Sequence, residues 1–454
     1  MRRGIATLFA SLLVACLCGV ASAQYDEGQG GESGASPEAA ATPAAKLSPE
    51  DLEKQRRLDA LNEERKKLQR KMVLRSRTGR LLNAAATELE QENSQAALDI
   101  LAGLAPERLN PFERARLFVV RAQAHYQNGD PAASTEDFQR AVDEKALQVP
   151  FEAGLRFNVA QLLAAQQKWP EVIDAIHEWQ EYTIEKKPIA HYLLAVAHYQ
   201  AEDPDKALEE AEIAVELSDD PKEGWLTLLA ALYVSKEMFD EAIPVFEELV
   251  THHPKKQYWV QLSLLWGARE NFRHALAVQQ IAYEQGLLDE QKELERLARS
   301  YLFHELPYPA ARVLEKGFED GVIEREVETL ELLANSWIAA REYEKSMGPL
   351  TEAAEMAEDG NLLVRLGQVH MQREEWNGAA ELLARAIERG GLDNPGNAQL
   401  LLGISYYNDS QPERAKSSFA QAAQHERVRE AAEGWIVHID REAAAAGGTE
   451  TTGG

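Results

Sequence analysis

The sequence predicts an all-α protein, an array of about ten helix hairpins preceded by one charged helix. Three observations carry this. Ala, Leu and Glu dominate the 454 residues, and runs of β-branched residues are scarce, a composition that favours helix over strand. A small residue recurs at Ala85, Ala122, Ala160, Ala195, Ala230, Ser263, Ala298, Ala334, Gly367 and Gly403, at spacings of 33 to 38 residues. Twelve residues after each of these markers stand Ala97, Ser134, Val172, Ala207, Ala242, Ala275, Ala310, Ser346, Ala379 and Ala415, nine of them Ala or Ser. A small side chain at both places lets two helices cross closely. A single hairpin cannot bury its apolar face, so the regular period implies stacked copies.

At the start, residues 1–23 read as a secretory signal: Arg2 and Arg3, an apolar run from Ile5 to Val20, and Ala21-Ser22-Ala23 as a cleavage site. An uncleaved anchor, or lipidation at Cys16 within Leu13-Val14-Ala15-Cys16, is the alternative reading of the same stretch. Both cysteines, Cys16 and Cys18, lie in this segment. Cleavage after Ala23 would leave no thiol for disulfides, metal binding or nucleophilic chemistry. A periplasmic location is the expectation. Residues 24–48 are rich in Gly, Ala, Ser and Pro, which suits a disordered tether.

Ser48-Pro49-Glu50-Asp51 is a helix start, with a capping serine, an early proline and two acids at the positive end of the dipole. The charged helix is expected over 49–79. Arg65, Lys66, Lys67, Arg70, Lys71, Arg75, Arg77 and Arg80 follow one another without an acid, in a chain whose formal charge is -27. This basic arm reads either as contact with a partner or an anionic lipid surface, or as a solvated helix lying on the acidic first repeats. The overall negative charge argues against nucleic-acid binding.

Repeats are expected over 80–424. Pro131, Pro204, Pro307 and Pro412 lie nine residues after their markers and Pro170 ten after, where each would open a second helix at little cost. Pro244 and Pro349 fall deeper and should kink their helices. Trp435, Ile436 and Ile439 give 425–442 the apolar face of a capping helix, and 443–454 reads as a disordered tail. The best-formed copy is Gly224 to Pro254. Its order, Leu229-Ala230-x-x-Tyr233, then Ala242-x-x-x-Phe246, then Pro254, resembles the tetratricopeptide repeat. That resemblance implies a right-handed superhelical solenoid whose first helices line a concave, protein-binding face. Positions one and four past the markers would form it: Gln123, Tyr126, Val196, Tyr199, Arg299, Leu302, Asn335, Ile338, Gln368, Met371, Ile404 and Tyr407.

No catalytic, cofactor or metal set emerges, so a non-enzymatic chain without cofactor is expected. There is no phosphate loop, dinucleotide fingerprint, nucleophile elbow or zinc-binding H-E-x-x-H. His252-His253 ends a helix, where histidine suits the negative dipole end, and His191 and His198 stand two turns apart on one helix.

From Tyr258 onward the sequence becomes more particular: Tyr258-Trp259-Val260-Gln261-Leu262-Ser263, Ala282 to Leu288, Pro307 to Gly317, Leu332 to Trp337, Ala340 to Tyr343, and Asn394 to Ala398. These segments resemble the periplasmic tetratricopeptide-repeat proteins found with TonB, ExbB and ExbD energy-transduction systems of Gram-negative bacteria. The resemblance covers roughly 258–441. It implies a scaffold that binds TonB, ExbB or ExbD components and assists outer-membrane uptake, often of iron carriers. A general scaffold for outer-membrane or peptidoglycan assembly would carry the same repeats.

Overall fold

A computed structural model describes residues 47–449, with side chains to 444; the signal, nearly all of the tether and the residues past 449 lie outside the described residues. Among the described residues the structure has 22 α-helices and no strand. It divides into two units, Met1–Pro254 and Lys255–Gly454.

The first unit holds a leading helix and five hairpins. The leading helix is α1 (Pro49–Lys71), and the hairpins are α2 (Ser76–Glu90) with α3 (Ser94–Leu101), α4 (Pro111–Gln127) with α5 (Pro131–Asp143), and α6 (Val149–Ala165) with α7 (Trp169–Glu181). Then come α8 (Pro188–Gln200) with α9 (Pro204–Glu216), and α10 (Glu223–Ser235) with α11 (Phe239–His252). The second unit holds five more: α12 (Lys256–Ala268) with α13 (Phe272–Glu284), α14 (Gln291–Phe303) with α15 (Pro307–Glu319), and α16 (Val327–Ala339) with α17 (Tyr343–Met356). After α18 (Asn361–Gln372) with α19 (Trp376–Arg389), and α20 (Pro395–Asn408) with α21 (Pro412–Ala422), the last helix α22 (Arg429–Thr449) packs on α21.

All ten markers and all ten of their partners, Val172 among them, are buried. The sixth pair is also hydrogen-bonded, Ser263 Oγ donating to the Ala275 carbonyl at 3.3 Å. Where the marker is glycine, the partner helix has moved in: a Cβ on Gly403 would stand 2.5 Å from the Phe419 ring, and one on Gly367 2.8 Å from Leu383. Pro131, Pro204, Pro307 and Pro412 each begin their helix and Pro170 is the second residue of α7. Pro244 and Pro349 lie inside α11 and α17, which run on without a break.

One regularity of the backbone is hidden in the sequence. Seven residues after every marker the chain turns left-handed: Glu92, Gly129, Gln167, Glu202, Glu237, Glu270, Glu305, Arg341, Glu374 and Ser410 all have φ between 58° and 77°. The amide of the next residue then donates to the carbonyl five positions back, from Asn93 to Glu88, Asp130 to His125, and so on to Gln411 to Tyr406, at 2.8 to 3.0 Å. This closure caps each first helix and fixes the entry of the second. Only Gly129 takes the conformation freely, since every other side chain there pays a Cβ clash. Glu237, exposed and at φ 59°, is the clean test. Glu237→Gly should raise stability by about 0.5–1 kcal/mol and Gly129→Ala should lower it by a similar amount, readable as opposite shifts in urea midpoint.

The structure corrects two boundaries. The charged helix stops at Lys71 instead of running to 79, because Met72 to Arg75 turns extended and Arg75 is captured by Glu113, so that the first hairpin begins at Ser76. At the other end, α22 continues through the expected tail to Thr449, as the run Glu442 to Ala446 is strongly helix-forming.

Candidate partner-binding surface

Residues one and four past each marker fall on one stripe of a helix, and the structure sorts them into three kinds. In the first unit, Gln123 and Tyr126 on α4 are exposed. On α8, by contrast, Val196 is only 3% exposed and belongs to the core with Trp225 and Leu228, and Tyr199 packs against the same cluster. Val196 is therefore a core residue and not part of a free surface.

In the second unit, Arg299 on α14 and Gln368 on α18 are exposed, and Arg299 pairs with Glu295 at 3.2 Å. Leu302, Ile338 and Met371 are half-buried, each leaning on the core of its own hairpin. Asn335 on α16 has a buried Oδ1 without a hydrogen-bond partner among the described residues. Ile404 and Tyr407 on α20 are half-buried against the last helix. Tyr407 Oη donates to Glu442 at 2.8 Å and lies 3.1 Å from His438 Nε2, its ring 5.1 Å from that of Trp435, and Ile404 packs in the same cluster. Helix α22 has taken the place that an eleventh first helix would fill, and these two residues help to hold that cap.

The basic arm is also divided. Helix α1 docks on α6: Gln69 donates to the Ala146 carbonyl at 2.8 Å, and the Val149 amide donates to Asn62 at 3.0 Å. Arg65 is buried against Glu152, which is fully buried, at 3.8 Å. Arg156 grips the same carboxylate at 3.0 Å and places its guanidinium 3.9 Å from the centre of the Tyr182 ring. Arg75 forms a two-pronged pair with Glu113, both carboxylate oxygens lying within 3.0 Å of guanidinium nitrogens. Glu113 is itself the third residue of α4, in a capping box with Asn110. The Arg75 guanidinium and the backbone amides of Arg75 and Asn110 hold its carboxyl well below the usual 4.5, at about 2. Lys66 pairs with Glu63 at 2.8 Å, and Arg80 reaches the Ser76 carbonyl at 3.4 Å. Lys67, Arg70, Lys71 and Arg77 are exposed and find no ion pair among the described residues.

Histidines stay apart. His252 is exposed at the end of α11, and His253 Nδ1 lies 3.9 Å from Glu223. His191 binds Glu210 at 2.7 Å, and burial pushes the His198 imidazole down. Sequence reading missed a cluster at the start of α14. Asp289, Glu290 and Glu293 converge there, and Lys256 Nζ sits among them at 2.6, 3.0 and 2.9 Å. The ammonium occupies the position a cation would take. Beside it lies a pocket of about 30 Å³ lined by Trp259, Ser263, Gln279 and Glu293, into which Trp259 Nε1 and Gln279 Oε1 bring unpaired polar atoms. That volume suits one or two waters. Only the three-dimensional crossing of α12 to α14 brings these residues together.

The tetratricopeptide-repeat family model matches residues 119–182 and 173–221. These are the second to fourth hairpins, ahead of the Gly224 to Pro254 copy whose sequence is best formed. No curated protein matches the chain. Among solved structures, a tetratricopeptide-repeat protein from Parabacteroides merdae is 14% identical, covering 64% of this chain and 99% of its own, with a TM-score of 0.33. YrrB, described as a repeat protein with an unusual peptide-binding site, is 16% identical over 37% of this chain and 85% of its own, with a TM-score of 0.32. The Cut9–Hcn1 assembly of the APC/C is 12% identical over 85% of this chain and 87% of its own, with a TM-score of 0.28. Residues 119–221 thus carry tetratricopeptide repeats, and the chain is an all-α protein built from hairpins of that one register.

Proposed function

We propose that the protein is an exported, non-enzymatic scaffold that holds a protein partner along the first helices of its second unit, and that it serves a TonB-dependent outer-membrane transport system. The observation that carries the binding surface is Asn335. Its unpaired, buried Oδ1 belongs to α16, which in chain order is the first helix between α14 with exposed Arg299 and half-buried Leu302 and α18 with exposed Gln368 and half-buried Met371. An aliphatic floor edged by a few polar groups is the anatomy of a protein-binding surface, and an extended peptide laid on it could donate a backbone N–H to that oxygen once the Asn335 side chain turns outward. The transport assignment is supported by the resemblance of the segments between Tyr258 and Arg441, the stretch that makes up this unit.

Photo-crosslinkers placed at 299, 335 and 368 in living cells test both parts. TonB, ExbB or ExbD components are the expected products, and Asn335→Ala should weaken capture about fivefold, the value of one hydrogen bond. Crosslinks to outer-membrane or peptidoglycan assembly proteins would favour a general envelope scaffold instead. A deletion strain with wild-type TonB-dependent uptake would remove the transport role.

A further inference from the structure

We propose that the turn between α1 and α2 is a docking point for an anionic lipid bilayer, made of a rigid aliphatic tip and a surrounding group of unpaired cations. It belongs to the first unit, and the inference does not rest on the partner surface proposed for the second.

Two independent observations meet here. The first is charge. Counting round α1 at 100° per residue, the docked residues Leu58, Asn62, Arg65 and Gln69 share one face, and Lys67, Arg70 and Lys71 fall on the opposite one. Arg77, in the first turn of α2, is exposed as well, and none of the four has an ionic partner among the described residues. The arm's other cations are paired or back-bonded, Arg65 and Arg75 to carboxylates of the first unit. Four free cations in a chain of charge -27 are therefore a local exception to the field of the molecule.

The second observation is the tip. Val73 is 72% exposed, the most exposed large apolar side chain among the described residues, and Leu74 and Leu68 beside it are 39% and 37% exposed. Val73 is not loose. Its carbonyl accepts from Asn110 Nδ2 at 3.2 Å, the Arg75 amide donates to Glu113 at 2.9 Å, and the Met72 amide donates to Gln69 at 3.0 Å. The backbone is tied on both sides, so little ordering entropy is spent when the side chain is buried.

A projecting aliphatic tip among cations, with no groove of its own, fits the headgroup boundary of an anionic membrane. There the cations meet lipid phosphates while the tip enters the acyl edge. An acidic protein would satisfy the charges and leave Val73 and Leu74 in water unless it supplied a matching pocket, so the aliphatic tip favours lipid. Repulsion from the acidic remainder of the chain falls away beyond a Debye length of about 10 Å.

The test is co-sedimentation of the protein as isolated with vesicles of phosphatidylglycerol and phosphatidylcholine in equal parts, against vesicles of phosphatidylcholine alone. The neutral vesicles report any pull from the apolar segment of residues 5–20. Each cation at an anionic surface is worth about a fivefold gain in partitioning, so K67Q/R70Q/K71Q/R77Q should lower the anionic increment by on the order of several hundredfold. Val73→Asp should lower it about tenfold, and raised salt should weaken wild type more than the charge variant. These side chains carry no packing, so thermal melts should coincide with wild type. Binding by the four-site variant equal to wild type would overturn the proposal. So would a Val73→Asp variant with unchanged binding, or patch-dependent self-association without vesicle binding, both of which point to an acidic protein surface.

Discussion

Glu113→Gln should cost about 3 kcal/mol of stability at neutral pH, and that cost should disappear as the pH is lowered toward 2. The magnitude follows from what the carboxylate does. It is fully buried, it receives both prongs of Arg75, and it closes the capping box of α4 with Asn110. A neutral amide loses the ion pair and leaves its remaining hydrogen bonds badly matched; removing one partner of a buried pair is costed at about 3–5 kcal/mol, and the half-exposed Arg75 places this case at the lower end. The pH dependence follows from linkage. The carboxyl titrates at about 2 in the folded chain against 4.5 for an unperturbed glutamate. Its contribution is therefore whole above about pH 4.5 and is lost as pH falls through 2. Subtracting the melts of wild type and variant at each pH cancels the other carboxylates. A difference that stays constant from pH 7 to 2 would show that shape, and not charge, sets the cost. The consequence is more than local: Arg75 ends the turn that presents Val73, so the same variant should loosen the tip and weaken anionic-vesicle binding.

How far the sequence revealed this molecule depends on whether a feature is set by a residue's own bulk or by what packs on it. The skeleton was legible because the crossing of two helices excludes large side chains, so Ala, Ser or Gly recurs at all but one of the twenty crossing positions, the exception being Val172. The left-handed turn seven residues on was not legible. Glutamate, glutamine, arginine and serine all occupy it, since the hydrogen bond that closes each turn joins backbone atoms. The end of α1 was hidden for another reason. Nothing in Lys71 to Arg77 breaks a helix, and what breaks it is Glu113, distant in sequence. Of the surface stripe, Gln123, Tyr126, Arg299 and Gln368 are exposed, but Val196 sits under the neighbouring hairpin and Tyr407 leans on α22. Core and groove share one spacing on a first helix, and the next element decides between them.

Trp337→Ala should be the most damaging single truncation in the second unit, at about 4 kcal/mol. Trp337 is 1% exposed and heads the fully buried side chains by volume. It lies three residues past the marker Ala334, in a cluster that joins Leu297, Tyr301 and Leu314 of the preceding hairpin to Leu332 and Leu333 of its own. Tyr308 meets its ring edge-on at 5.3 Å, and Lys345 Nζ stands 4.4 Å from the ring centre on the opposite helix of the hairpin. One side chain thus serves both the inside of a hairpin and the interface between two, and in a stacked array those are separate contributions to stability. Trp337→Phe keeps most of the apolar contact and should cost less than half as much. Truncation should therefore do more than shift the urea midpoint: hydrogen exchange should quicken in α14 to α17 together while α20 and α21 remain protected. Uniform quickening through the whole unit would mean that its five hairpins unfold as one cooperative body. Quickening confined to α16 and α17 would mean that the interface with α14 and α15 holds without the indole.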